Sequence, residues 1–271
     1  YTLDRDFQLL RLSAIHFTDD RIDAIYDESD PLPKKLDSRI DGNGQTMIPG
    51  LIDAHGHVLS YGLSLLRVDL VGAASESEAS ERVLDFAQAN PAVEWIQGRG
   101  WNQVLWDTNE FPQASSLDAV VNDRPVWLTR IDGHAAWANS LAMELAGISD
   151  DTEDPVGGQI IRDEDGKATG VFVDTAMSYI REQIPGTSFE EEKVALTIAL
   201  NSLATYGITS VHDAGIGSST IAAYKELVSE APLPVRVYAM IAASDPLYQD
   251  RLADGFFYSE DMTLAIESVK V

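Results

Sequence analysis

The chain has 271 residues, enough for one or two domains with a sizeable core, and its 19 basic against 44 acidic residues leave a formal charge of −25. So acidic a chain repels phosphate backbones, which argues against a nucleic-acid partner. It contains no cysteine, which excludes disulfides, thiolate ligands and a cysteine nucleophile, so any metal must sit on His, Asp, Glu or a modified Lys.

No apolar run approaches the roughly 20 residues of a membrane span, and no signal-peptide pattern opens the chain. The first residue is Tyr1 rather than Met. The expectation is a soluble protein with no membrane partner, its compartment open between cytoplasm and, after loss of an export signal, periplasm.

Residues 11–47 alternate short apolar stretches with turn residues, as in Leu12–Phe17, Asp19-Asp20, Arg21–Tyr26 and Asp41–Gly44, and predict strands with tight turns. His16 receives no role. Residues 48–58, Ile-Pro-Gly-Leu-Ile-Asp-Ala-His-Gly-His-Val, lack a helical period and predict a short buried strand. Alternation would then put Asp53, His55 and His57 on one face and Ile52, Ala54 and Val58 on the other. Two imidazoles at this spacing suit a cation such as zinc, which takes imidazole nitrogen at about 2.0–2.1 Å. A bare H-x-H fits two surface histidines as well.

Ser75 and Glu78 then cap a helix that ends at Asn90-Pro91. A strand follows at 94–98, and Arg99-Gly100-Trp101-Asn102, with Trp106 nearby, predicts a loop whose aromatics serve as core anchors or pocket walls. Pro125–Arg130 predicts a strand closed by an Asp132-Gly133 turn. His134–Ala146 predicts a helix with Gly147 as its stop and His134 at its N-terminus. Residues 156–173 form a hairpin around Asp165-Gly166. Ser188 with Glu191 opens a helix that ends at Gly207, and strand 208–213, helix 219–230, strand 235–241, helix 246–254 and strand 263–271 alternate as parallel βαβ units do. Counting the H-x-H strand, four strands of a parallel sheet result. An apolar sheet edge left open at Val271 leads to the expectation that the chain is a piece of a longer protein. His212 and Lys270 stand near strand C-terminal ends. From the residues alone His212 fits metal, substrate or packing, and Lys270 fits a solvated lysine as well as a functional one.

Pro49-Gly50-Leu51-Ile52-Asp53-Ala54-His55-Gly56-His57 resembles the first-strand signature of the amidohydrolase superfamily of metal-dependent hydrolases. Arg99-Gly100-Trp101, Arg130-Ile131-Asp132-Gly133-His134 with Asn139, Gly207–Asp213 and Val269-Lys270-Val271 recur in the order of its N-substituted formamide deformylase-like branch. The resemblance implies an α/β fold: a (β/α)8 TIM-type barrel, its first half at 49–271, with a long α+β insertion at about 59–206 after strand 1. Residues 1–48 would give the N-terminal part of a small β-sandwich domain, a composite of both chain ends.

It further implies His55, His57 and a carboxylated Lys270 as ligands of a divalent metal, zinc being the expected ion, one or two per chain. Carboxylation calls for a buried lysine whose neutral amine adds carbon dioxide. His134 and His212 become catalytic residues, and Arg99, Trp101, Trp106 and Arg130 substrate-binding ones, although His134 equally fits a solvent-facing cap. The remaining metal ligands and the carboxylate that moves the proton are expected after Val271. The implied function is cleavage of a non-peptide carbon–nitrogen bond, of amide or formamide type, by a metal-activated hydroxide acting on a small-molecule substrate. The alternatives are a zinc-dependent deaminase or cyclic-amide hydrolase, or a non-catalytic binding protein on the same fold. A homodimer is compatible with each.

Overall fold

The computed structural model of the chain describes residues 1–19 and 21–271. It begins with two antiparallel ladders, β1 (Thr2–Leu3) with β2 (Leu9–Leu10) and β3 (Ala14–Thr18) with β4 (Arg21–Tyr26). These ladders form separate two-stranded sheets, with Phe7 81% and Ile22 60% exposed. A two-stranded ladder cannot cover its own apolar face, so the described residues of 1–48 make strands and turns without making a sandwich.

The remainder runs β5 (Leu51–Gly56), α1 (Val58–Leu65), β6 (Val68–Asp69), α2 (Glu76–Ala89), β7 (Ile96–Trp101), α3 (Ala114–Asp118), β8 (Val126–Arg130), β9 (Ala135–Ala138), α4 (Ser140–Leu145), β10 (Gly158–Arg162) and β11 (Ala168–Asp174). It continues through α5 (Ser178–Arg181), α6 (Phe189–Thr205), β12 (Ile208–Ile216), α7 (Ser218–Glu230), β13 (Arg236–Ala242), α8 (Tyr248–Ala253), β14 (Phe257–Tyr258) and β15 (Leu264–Lys270). Two larger sheets result. In one, β5, β12, β13 and β15 lie side by side and parallel, with β14 added antiparallel at the far edge. The other has the order β10-β11-β9-β8-β7-β6, parallel over β6–β8 and antiparallel beyond. The fold is thus α/β with parallel sheets, and the predicted βαβ rhythm from Ser188 onward is present.

Three sequence expectations give way here. The residues after His134 form strand β9, and helix α4 starts only at Ser140. Alanine favours helix, but β9 is clamped between β8 and β11, and pairing on both sides overrides the preference. Arg99–Trp101 continues strand β7, not a loop, with Gly100 at φ 113°. The H-x-H strand, expected to be buried, lies at an exposed sheet edge: among the described residues β5 pairs with β12 alone, and Ile52 is 64% exposed. Val58, the one buried residue there, opens α1.

Helices α6 and α7 cover one face of the parallel sheet, Leu196, Ala199, Leu200, Ile221 and Tyr224 packing with Val211, Val237 and Ala239. The N-terminus of α6 is closed reciprocally: Ser188 Oγ accepts the Glu191 N–H, and the Glu191 carboxylate accepts the Ser188 N–H at 2.8 Å. The Ser188 backbone and side-chain bonds hold the Glu191 carboxyl below its ordinary range. That contribution is present above the unfolded-state carboxylate pKa and is lost as the pH falls through the lower folded value. The six-stranded sheet carries helices on both faces. Trp101, Trp106, Leu117 and Trp137 fill one side, and Trp127, Phe172, Ala142 and Ile180 the other. Among the described residues no helix is long and apolar enough to cross a membrane.

Helix α1, which carries the chain away from the histidine pair, meets α6 at its backbone. A Cβ added to Gly62 would stand 2.0 Å from the Ala195 carbonyl oxygen. Gly62→Ala should therefore force the helices apart and destabilise the chain by about 1–3 kcal/mol, the usual cost of overpacking, read as a lower urea midpoint. An unchanged midpoint would show that the contact is slack.

Candidate metal centre

Because β5, β12, β13 and β15 run parallel, their C-terminal ends share one side of the sheet, the side on which parallel α/β folds assemble their sites. His55 lies near the end of β5, and His57 is the residue that caps the start of α1. Their ring centroids are 5.4 Å apart and nearly edge-on at 78°, and both side chains are exposed. Asp53 does not join them. The β5–β12 register slips between Val211 and Asp213, so strict alternation fails, and the Asp53 carboxylate turns back to accept the His55 N–H at 3.0 Å.

Beneath this pair lies a residue that sequence reasoning passed over. Asp213, 2% exposed within β12, accepts the Val58 N–H at 3.1 Å and the Tyr224 hydroxyl at 2.8 Å. One carboxylate thereby joins β12, the first turn of α1 and α7. Burial pushes the Asp213 carboxyl up, opposed by the Tyr224 hydroxyl, the Val58 N–H and the neighbouring His57 ring. Burial and the Asp213 charge in turn push the Tyr224 phenol well up. The only sequence signal was the aspartate following His212, which alternation turns toward the helices.

His212 faces the other way, half-buried, its ring 5.0 Å from that of Tyr238, its register partner on β13. Lys270 ends β15 and is exposed, without the burial that a carboxylated lysine was expected to have. In strand order β13 and β12 lie between it and β5. Its stem leans over β12: a Cβ placed on Gly215, whose φ is +84°, would stand 3.5 Å from Lys270 Cγ.

The other predicted site residues belong to the six-stranded sheet. Trp101 is fully buried and Trp106 4% exposed, their indole N–H groups donating to the Leu128 and Ala73 carbonyls. A pocket wall needs an open face, and these rings have almost none, so they act as core anchors. Arg130 forks onto Asp132 at 2.9 and 2.7 Å, and Asp132 also accepts the His134 N–H. The Arg130 bond holds the Asp132 carboxyl below its ordinary range. His134 is exposed, not helical, and its Nδ1 meets Asp174 Oδ1 at 2.9 Å. Asp174 sits at φ 50°, ψ −120°, a conformation costing a non-glycine residue about 1–3 kcal/mol and found preferentially at functional sites. Arg99 donates to the Ile131 carbonyl at 3.0 Å.

Two imidazoles are the donors that zinc and similar cations take. No group of three or more His, Cys, Asp or Glu residues able to hold a metal forms among the described residues. The histidine pair thus fits two positions of a coordination shell and leaves others to be filled.

A parallel α/β sheet with an imidazole pair at its C-terminal end is compatible with a metal-dependent hydrolase. The profile of the Amidohydrolase family matches residues 39–267, and the chain belongs to that family. It is 42% identical over 172 residues to Protein LONG AFTER FAR-RED 3 of Arabidopsis thaliana, covering 64% of this chain and 29% of that protein. It is 26% identical over 201 residues to the N-substituted formamide deformylase of Arthrobacter pascens, covering 72% and 37%. Among solved structures it resembles an uncharacterized metal-dependent hydrolase from Pyrococcus furiosus, with a TM-score of 0.60, 28% identity, and 82% of this chain and 43% of that one covered. The chain spans less than half the length of each.

The Asp213 junction makes a stability prediction. Tyr224→Phe removes one buried hydrogen bond and should cost about 0.5–1.5 kcal/mol or more, while Asp213→Ala strands the Tyr224 hydroxyl and the Val58 N–H and should cost several kcal/mol, at about 1–3 kcal/mol per unsatisfied group. Urea unfolding measures both, and equal midpoints for Asp213→Ala and the parent would remove the junction from the account.

Proposed function

We propose that this chain contributes to the metal centre of a hydrolase that cleaves a carbon–nitrogen bond other than a peptide bond, of amide or formamide type. The observation that carries the reading is the His55–His57 pair at the C-terminal end of the parallel sheet, in a chain of the Amidohydrolase family. The similarity to a deformylase of N-substituted formamides supports the choice of bond.

His55 and His57 hold a divalent cation, zinc by the character of their nitrogens. Lys270, exposed at the end of β15, would be a further ligand in the carboxylated form that the family resemblance implies, its neutral amine forming a nitrogen–carbon bond to carbon dioxide with release of a proton. When bound, the cation supplies Lewis acidity, bringing water deprotonation near neutral pH and polarising the attacked carbonyl. The protein's own residues do the remaining work. Asp213 fixes the Val58 N–H, and through it the entry of α1 next to His57. Gly215 leaves the surface of β12 low where the Lys270 stem crosses it. His212 offers an imidazole on the sheet face opposite the helices, beside Tyr238. His134, its Nδ1 tied to Asp174, keeps Nε2 free to donate a hydrogen bond to substrate or pass a proton. Arg130 shapes the 130–134 turn that presents His134.

The alternative reading is a metal-free binding protein on this fold. Metal analysis separates the two. The hydrolase reading expects His55→Ala and His57→Ala each to lose zinc and hydrolytic activity together, and full zinc content in either variant defeats it.

Lys270 supplies an independent test. Native protein should carry an added carboxyl group on Lys270 by mass analysis, and Lys270→Ala should lose metal, with a short-chain carboxylic acid restoring part of the activity. An unmodified lysine with activity intact in Lys270→Ala, and a stability change of only about 0.5 kcal/mol, would make it an ordinary solvated side chain.

A further inference from the structure

A cleft of about 390 Å³ opens on the face of the six-stranded sheet opposite the Trp101 cluster. The volume falls within the range that small-molecule sites occupy, about 300–1,000 Å³. Its floor follows from strand register: Gln97 pairs with Trp127 and Arg99 with Thr129 across β7 and β8, so the four side chains share a face. Segment 184–187 passes over one side with Arg181 at the end of α5, and Arg67, leading into β6, closes the other.

Three arginines therefore line one cleft in a chain of net charge −25. Among the described residues Arg67, Arg99 and Arg181, like Arg5, Arg39, Arg162 and Arg236, reach no carboxylate within 4.0 Å, and Arg99 donates to the Ile131 carbonyl at 3.0 Å. Arg67 is half-buried, and burial disfavours its charge; Glu191 acts on it favourably from farther off, but the Glu191 carboxylate is engaged by Ser188. A partly desolvated guanidinium without a paired anion is costly, and a bound oxyanion offsets that cost through charge-assisted, forked hydrogen bonds. The surrounding acidic surface repels anions in general, so retention would have to come from the cleft itself.

We propose that this cleft is a binding site for a small organic or inorganic oxyanion, a carboxylate or phosphate gripped by Arg67, Arg99 and Arg181, with Gln97 and Thr129 as further polar partners and Trp127 in the floor. The proposal does not rest on the histidine pair, although it takes up Arg99, which the family resemblance implies as a substrate-binding residue. Neither His55 nor His57 lines the cleft, and Arg67 is separated from His57 by the eight residues of α1, about 12 Å at 1.5 Å per residue.

The test is calorimetric titration of the protein with inorganic phosphate and, separately, with benzoate, at fixed pH and ionic strength with chloride as the control anion. The expected result is a saturable one-site isotherm for at least one probe, weakened about tenfold, or by about 1.4 kcal/mol, in both Arg99→Gln and Arg181→Gln. These positions are exposed, and an unchanged urea midpoint certifies that each variant is folded. Saturation by phosphate alone assigns a phosphoryl ligand, and by benzoate alone a carboxylate. Failure of both probes to saturate beyond the chloride control, or an affinity unchanged in either folded variant, overturns the proposal.

Discussion

A single buried carboxylate holds the most consequential corner of this molecule together. Asp213 could satisfy its oxygens in many ways, but it takes the first free N–H of α1 and the hydroxyl of Tyr224. Those bonds tie β12, the first turn of α1 and α7, packed behind the sheet, to one point. Among the described residues β5 pairs with β12 alone, and the tie holds the helix that leaves it. Buried polar groups of this kind specify geometry when every member is satisfied.

The second sheet answers a different demand. Four of its strands, β7, β8, β9 and β11, carry the buried aromatics Trp101, Trp127, Trp137 and Phe172 on its two faces, and the indole N–H groups of Trp101, Trp106 and Trp137 all find backbone carbonyls. Rigidity there is what allows the Arg130–His134 turn to stand exposed and still ordered: Arg130 forks onto Asp132, Asp132 receives the His134 N–H, and Asp174 holds the ring. A strained backbone at Asp174 persists because β11 pairs with its neighbours on both sides right up to it. The same sheet offers its other polar feature, the arginine-lined cleft, on the side where Gln97 and Arg99 emerge.

Much of this was legible in the residues, and the failures have physical causes. Helix α6 could be read from Ser188, Glu191 and Gly207 because capping is local chemistry, and the alternation of β12, α7, β13, α8 and β15 followed from period and punctuation. The H-x-H pair was found because side-chain type and spacing carry it. Segment 135–138 was misread as helix because its alanines have a local preference that strand pairing on both sides overruled. Trp101 and Trp106 were equally suited to wall a pocket or fill a core, and only packing against Leu117 and Trp137 decides. Asp213 escaped notice because burial and a hydrogen bond across 155 residues of sequence leave no local mark. The exposure of Lys270 was equally a matter of tertiary arrangement.

The central claim is that His55 and His57 bind a metal directly, and X-ray absorption at the zinc edge on the zinc-loaded protein tests it with the fewest intervening assumptions. The account predicts a nitrogen or oxygen shell at about 2.0–2.1 Å with the multiple-scattering pattern of at least two imidazoles, reduced by one ring in His55→Ala and in His57→Ala. A spectrum without imidazole scattering, or one identical in parent and variants, would contradict it.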